Sequence, residues 1–122
     1  MDWNFRNDQP IYSQLIQRLT EAIVSGVYAP GEKLPSVREL ALEAGVNPNT
    51  VQRSLTELER EGLVFSQRTA GRFVTENENM IVNARLRLAD ERVAAFLRSM
   101  KTLGCDREEV LSLIAQAKEE EK

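Results

Sequence analysis

Residues 34–75 read LPSVRELALEAGVNPNTVQRSLTELEREGLVFSQRTAGRFVT, and no other stretch limits the fold so tightly. Ser36 is a good N-cap, with Glu39 three residues on as its capping-box partner and Pro35 discouraging helix upstream. Val37, Leu40 and Ala41 then fall on one helical face. Gly45 ends that segment, because glycine enters the left-handed conformation at little cost. Asn47 caps a second segment and Pro48 takes its first position, where a missing N–H costs nothing. Val51, Leu55 and Leu58 form its apolar stripe, and Gly62 stops it. Two helices joined by so short a glycine turn cross steeply, which frees the outer face of the second to project.

That face carries Asn47, Asn49, Thr50, Gln52, Arg53 and Thr56, none of them acidic; Glu57, Glu59 and Glu61 come only in the last turns. Asn, Gln and Arg can bond base edges bidentately, and Thr suits phosphates or bases. The N-terminal end of the second helix makes the base contacts in such motifs, and its free N–H groups suit a phosphate. A capped surface helix with a solvated face is the plain alternative. The wing and the upstream Arg38 weigh against it.

The wing is read as residues 63–66, a turn through 68–71, and a return over 72–75. Val64, Phe73 and Thr75 have strand character, and Gly71 can take positive φ in the turn. Arg68 and Arg72 flank the tip, where a hairpin can reach phosphates or the minor groove.

PSVRELA, then GVNPNTVQRSLTELEREGLV, then a glycine-containing wing ending in FV, resembles the winged-helix domain of GntR-superfamily bacterial transcription regulators. With a helix before it, the resemblance covers residues 9–75. NPNTV with a short tail is similar to the YtrA subfamily. The resemblance implies a short strand at Lys33-Leu34 beside the wing, and dimerisation through the C-terminal part. The chain departs from the family at two wing positions. The family's Gly-x-Gly-Thr has Thr69 for its first glycine here and Arg72 for its threonine. Pro48 stands where some relatives carry a base-reading Arg, so that contact is missing.

Composition narrows the chemistry. The chain has no His, which removes imidazole bases, Ser-His and Cys-His pairs and most zinc sites. There is no glycine-rich phosphate loop. No catalytic residue, metal or cofactor is therefore expected. The single Cys105 forms no internal disulfide, no apolar run spans a bilayer, and the N-terminus is not a signal peptide, so a cytoplasmic protein is expected. The net charge of −3 argues mildly against nucleic acid. DNA binding then depends on sorting charge by face, with Arg38, Arg53, Arg68 and Arg72 together.

At 122 residues the chain suits one small domain and an appendage, divided here as 1–76 and 77–122. Residues 2–9 form a polar lead whose Trp3 and Phe5 are expected to pack on the first helix or on a partner subunit. That helix is expected from Pro10 to Ser25, with Ile11, Leu15, Ile16, Leu19 and Ile23 as its stripe and Gly26 as its stop. Past residue 77 the pattern changes. Val82, Leu86, Ala89, Val93, Phe96, Met100 and Leu103 alternate spacings of four and three, a heptad seam. Gly104 breaks the helix, and Asp106 with Glu109 caps another whose face is Val110, Leu113, Ile114 and Ala117. The KEEEK tail is a solvated end.

The expected fold is therefore mostly α with a small β-wing: a winged helix-turn-helix followed by a two-helix dimerisation segment. The expected function is a sequence-specific, dimeric DNA-binding repressor on a palindromic operator, contacting it through Arg38, Asn47, Asn49, Thr50, Gln52, Arg53, Arg68, Gly71 and Arg72. Asn47 serves the cap first. A protein-binding adaptor on the same scaffold would show no salt-dependent DNA binding. A small-molecule sensor is a third reading; two helices are too few to enclose a pocket of about 300 Å³. Any effector would have to sit at the dimer interface.

Overall fold

The structure is a computed structural model that describes residues 3–118, so Asp2 and residues 119–122 of the tail lie outside the described residues. Seven elements follow in order: α1 (Ile11–Val24), α2 (Val37–Ala44), α3 (Pro48–Arg60), β1 (Val64–Gln67), β2 (Gly71–Val74), α4 (Glu78–Thr102) and α5 (Arg107–Gln116). The chain forms two compact units, Met1–Leu88 and Ala89–Lys122.

The local signals for α2 and α3 act as their chemistry requires. The Glu39 N–H donates to Ser36 Oγ at 3.1 Å, and the Ser36 N–H donates back to Glu39 Oε1 at 2.9 Å. Gly45 closes α2 in the left-handed region at φ 67°, which a side chain would strain. The Asn47 side chain accepts from the Asn49 N–H at 2.8 Å, satisfying a donor the helix leaves open. Helix α1 begins one residue later than expected. Pro10 is its N-cap, with ψ 135°, and Ser25 is its C-cap rather than a helical residue.

Leu15, Leu19 and Ile23 of α1, Leu40 and Ala41 of α2, and Val51, Leu55 and Leu58 of α3 share one core. Leu34, Leu63, Val64 and Val74 close it beneath the wing, and Ala84 of α4 completes it. Ile16, expected in the α1 stripe, lies partly buried at the margin, as do Trp3 and Phe5. The Trp3 and Phe5 rings lie 6.3 Å apart. Burying about ten aliphatic side chains at roughly 1.5–3 kcal/mol each supplies the main term against chain entropy.

Strands β1 and β2 pair antiparallel with Val64 opposite Val74 and Ser66 opposite Arg72. Alternation puts Val64 and Val74 in the core and stacks Phe65 on Phe73 outside, at 5.7 Å. The expected strand at Lys33-Leu34 is a single antiparallel bridge, Lys33 to Phe73. The Leu34 N–H donates to the Arg72 carbonyl at 2.8 Å beside it.

The first unit runs past the composition boundary at residue 76. Ile81 packs against its core and Ala84 and Leu88 are buried, so the start of α4 belongs with the winged helix. In the second unit Gly104 ends α4 at φ 82°, and Asp106 and Glu109 form the expected capping box of α5. Val110 is buried there, whereas Leu113 and Ile114 are exposed.

Candidate nucleic-acid interface

Helix α3 buries Val51, Ser54, Leu55 and Leu58, so the spacing of a helix turns Asn49, Gln52, Arg53 and Thr56 outward. All four are exposed and Thr50 is half-buried. Thr56 Oγ1 donates to the Gln52 carbonyl at 2.9 Å and is thereby drawn back to its own helix. Buried Ser54 donates to the Thr50 carbonyl at 2.9 Å, so its hydroxyl is not left unsatisfied away from water. Arg38 is exposed on α2.

Arg53 has a partner that its sequence position does not reveal. Its guanidinium carbon lies 4.3 Å from the centre of the Tyr12 ring on α1. That cation–π stack limits the side chain's freedom before any ligand arrives.

The acids at the C-terminal end of α3 and at its C-cap Glu61 are occupied. Glu57 pairs with Arg60, and Glu61 lies 3.8 Å from Arg87. The Arg60 side chain donates to Glu57 and holds its carboxyl below the usual range. Burial pushes Glu61 up, and the neighbouring Glu57 adds to that. Glu59 reaches the wing: its Oε1 accepts from Arg72 Nε and from Ser66 Oγ, each at 2.5 Å. Burial works against the charged form of Glu59, but the hydrogen bonds from Ser66 and Arg72 outweigh it and the carboxyl stays below the usual range.

The wing sites are thus unequal. Arg68 and Gly71 are exposed at the tip. Arg72 is not free there, because its side chain is only 19% exposed and is paired with Glu59. The register explains this: Arg72 alternates to the side facing α3, opposite Ser66, whereas the sequence suggested an outward cation. Thr69, which replaces a family glycine, takes φ 65° itself. A β-branched residue is strained there. Gly71 has φ 109°, and a Cβ on it would meet Lys33 Cε at 3.0 Å.

The seam of the C-terminal part does not pack inside the chain. Val82, Leu86, Ala89, Val93, Phe96 and Leu103 are exposed, and Met100 is half-buried. At the turn between α4 and α5, an open groove of about 420 Å³ is lined by Leu97, Lys101, Cys105 and Val110 among others. Cys105 is a free thiol. Among the described residues no metal-holding cluster occurs, and no helix is long and apolar enough to cross a membrane.

Sequence reasoning found the exposed polar face of α3 from its spacing. It missed Tyr12 and Glu59, which act across the fold on Arg53 and Arg72 and leave no periodic signal.

Comparison with known proteins agrees with this geometry. The model of the bacterial regulatory proteins, gntR family, matches residues 11–74. The uncharacterized HTH-type transcriptional regulator YhcF of Bacillus subtilis (strain 168) is 40% identical over 111 residues, covering 91% of this chain and 92% of that protein. The HTH-type transcriptional repressor YtrA of the same organism is 37% identical over 106 residues, covering 86% and 82%. The solved structure of a GntR family transcriptional regulator from Listeria monocytogenes superposes with a TM-score of 0.84 at 33% identity, covering 93% of this chain and all of that one. The chain belongs to the GntR family and is similar to YtrA within it: it is a DNA-binding transcription regulator built on a winged helix-turn-helix, and not an enzyme.

Proposed function

We propose that this regulator is a cytoplasmic homodimeric repressor that reads a palindromic operator in double-stranded DNA. The exposed, acid-free face of α3, with Asn49, Thr50, Gln52 and a pre-positioned Arg53, carries the reading. These side chains meet base edges in the major groove. Asn47 is committed to its cap and offers the helix N-terminus to a phosphate. Arg38 and Arg68 contact the backbone, and Gly71 allows the wing tip to approach closely. The exposed apolar seam of α4 supports dimerisation, because a contiguous apolar face of this kind on a free chain marks an interface. Two-fold symmetry then matches inverted half-sites. Repression is supported by the likeness to YtrA, named a repressor. A small-molecule effector, where one acts, sits at the dimer interface beside the α4–α5 turn.

Two measurements test this. A log–log plot of binding constant against salt, on DNA from the chain's own promoter, is expected to fall, because phosphate neutralisation releases cations. A flat plot excludes the reading. Gln52→Ala and Arg53→Ala are each expected to weaken operator binding by ~1–3 kcal/mol and to change binding to random DNA less. Equal losses on both DNAs would reassign them to phosphates.

A further inference from the structure

A carboxylate on the reading helix of a DNA-binding protein repels phosphates unless something else holds it. Glu59 is held. A single oxygen, Oε1, accepts from Ser66 Oγ and from Arg72 Nε, each at 2.5 Å. Ser66 lies on β1 and Arg72 on β2, directly opposite each other in the register. One atom of α3 therefore ties both strands of the wing. The Glu59 and Arg72 side chains are 28% and 19% exposed, so water screens the pair only partly.

Arg72 stands where the family pattern has a threonine, and two positions before Gly71 the tip carries Thr69 at φ 65° in place of a glycine. The tip is thus strained, and its base is clamped to the reading helix by side chains.

We propose that Glu59 is a positioning residue for operator binding: acting through Arg72 and Ser66, it sets the angle of the wing against α3, and Arg72 is its strut rather than a phosphate contact. The inference rests on the reading of this face as the DNA interface. The clamp brings Arg68 to the phosphates beside the groove that α3 occupies. Losing it lets the wing swing and costs affinity without removing any DNA contact.

The test is a double-mutant cycle on the full chain, with Glu59→Ala, Arg72→Ala and the pair, measured on the operator over a range of salt. Each single variant is expected to bind about tenfold more weakly, the effect of one charge-assisted hydrogen bond. The pair should be no worse than either single variant, since both break one clamp. The salt slope should match wild type. In an Arg68→Ala background the Glu59→Ala loss should shrink, because the wing then has less to deliver. Additive losses, or a salt slope reduced by about one in Arg72→Ala alone, would make Arg72 a phosphate contact and overturn the proposal.

A second arm needs no DNA. Amide hydrogen exchange over residues 66–72 should speed up about tenfold in Glu59→Ala while α3 core amides stay protected. Unchanged exchange in the wing overturns the clamp. Glu59→Gln, which keeps the shape and one acceptor oxygen, should fall between wild type and Glu59→Ala in both arms. A wild type that binds no DNA sinks the functional reading instead, and the exchange arm alone then decides the clamp.

Discussion

The two compact units treat their apolar residues in opposite ways. In Met1–Leu88, helices α1, α2 and α3 bury their stripes within the unit, Leu15, Leu40, Leu55 and Leu58 at 0–1% exposure, and the exposed Val82 and Leu86 belong to the start of the α4 seam. In Ala89–Lys122, Val93, Phe96 and Leu103 are 56%, 43% and 73% exposed, and Val110 is the buried aliphatic residue among those described. The same helical periodicity runs through both. The difference shows that an amphipathic pattern guarantees a helix with an apolar face and says nothing of where its partner comes from. Three crossing helices, a hairpin and the start of α4 can enclose a core; the rest of α4 and the 10 residues of α5 cannot. The first unit is complete as a fold. The second leaves an apolar face exposed, which the proposed dimer would cover.

The largest expected effect comes from placing a charge in that exposed seam. Phe96→Asp should abolish dimerisation, because an interface concentrates its energy in a few large side chains and an unpaired buried charge is heavily penalised. Sedimentation should give a monomer while circular dichroism retains the helices of the first unit. Operator affinity should fall by a factor of about 10²–10⁴ as the tether between half-sites is lost. A Phe96→Asp protein that stays dimeric, or a wild type already monomeric at micromolar concentration, would erase the contrast between the units.

The converse change lies in the first unit. Leu55→Ala should lower its stability by ~2–5 kcal/mol through lost burial and a cavity. Thermal unfolding measures this. A small loss would mean that the α1–α2–α3 core is looser than its burial implies.

The smallest effect is a pH dependence of the first unit. Hydrogen bonding from the Ser36 backbone and hydroxyl holds Glu39 below the usual range. Glu59 is also lowered: burial opposes it, and the bonds from Ser66 and Arg72 prevail. A lowered folded-state pKa contributes stability that is present above the unfolded value of about 4.3 and lost as pH falls through the folded value. The capping box of α2 and the wing clamp should therefore weaken below about pH 4 and be insensitive from pH 6 to 8. Chemical denaturation at several pH values, with Glu59→Gln as the comparison, checks this. An unaltered acid limb in Glu59→Gln would remove Glu59 from the account.

The outward face of α3 is legible in the residue order. Asn49, Gln52 and Arg53 must face outward because Val51, Leu55 and Leu58 face inward, and the structure places all six accordingly. For Arg72 the sequence suggests a tip cation, because its place in a hairpin of unknown register does not reveal which way it points. The first compact unit reaches past residue 76 for a related reason. Ala84 and Leu88 lie off the heptad seam, and only the packed core shows that this second face of α4 is used.

What the sequence determined by itself is everything that depends on neighbours a few residues apart. The Ser36–Glu39 and Asp106–Glu109 boxes, the Asn47 cap with Pro48, and the glycine stops at Gly45 and Gly104 each form within one helical turn, so residue spacing is enough to define them. Tertiary structure alone decided the Arg53–Tyr12 stack, the Glu59–Ser66–Arg72 clamp and the choice of face on α4. Those contacts join elements whose approach is set by the shared core, and charge or aromatic character in a sequence carries no record of the partner that the core will bring within reach.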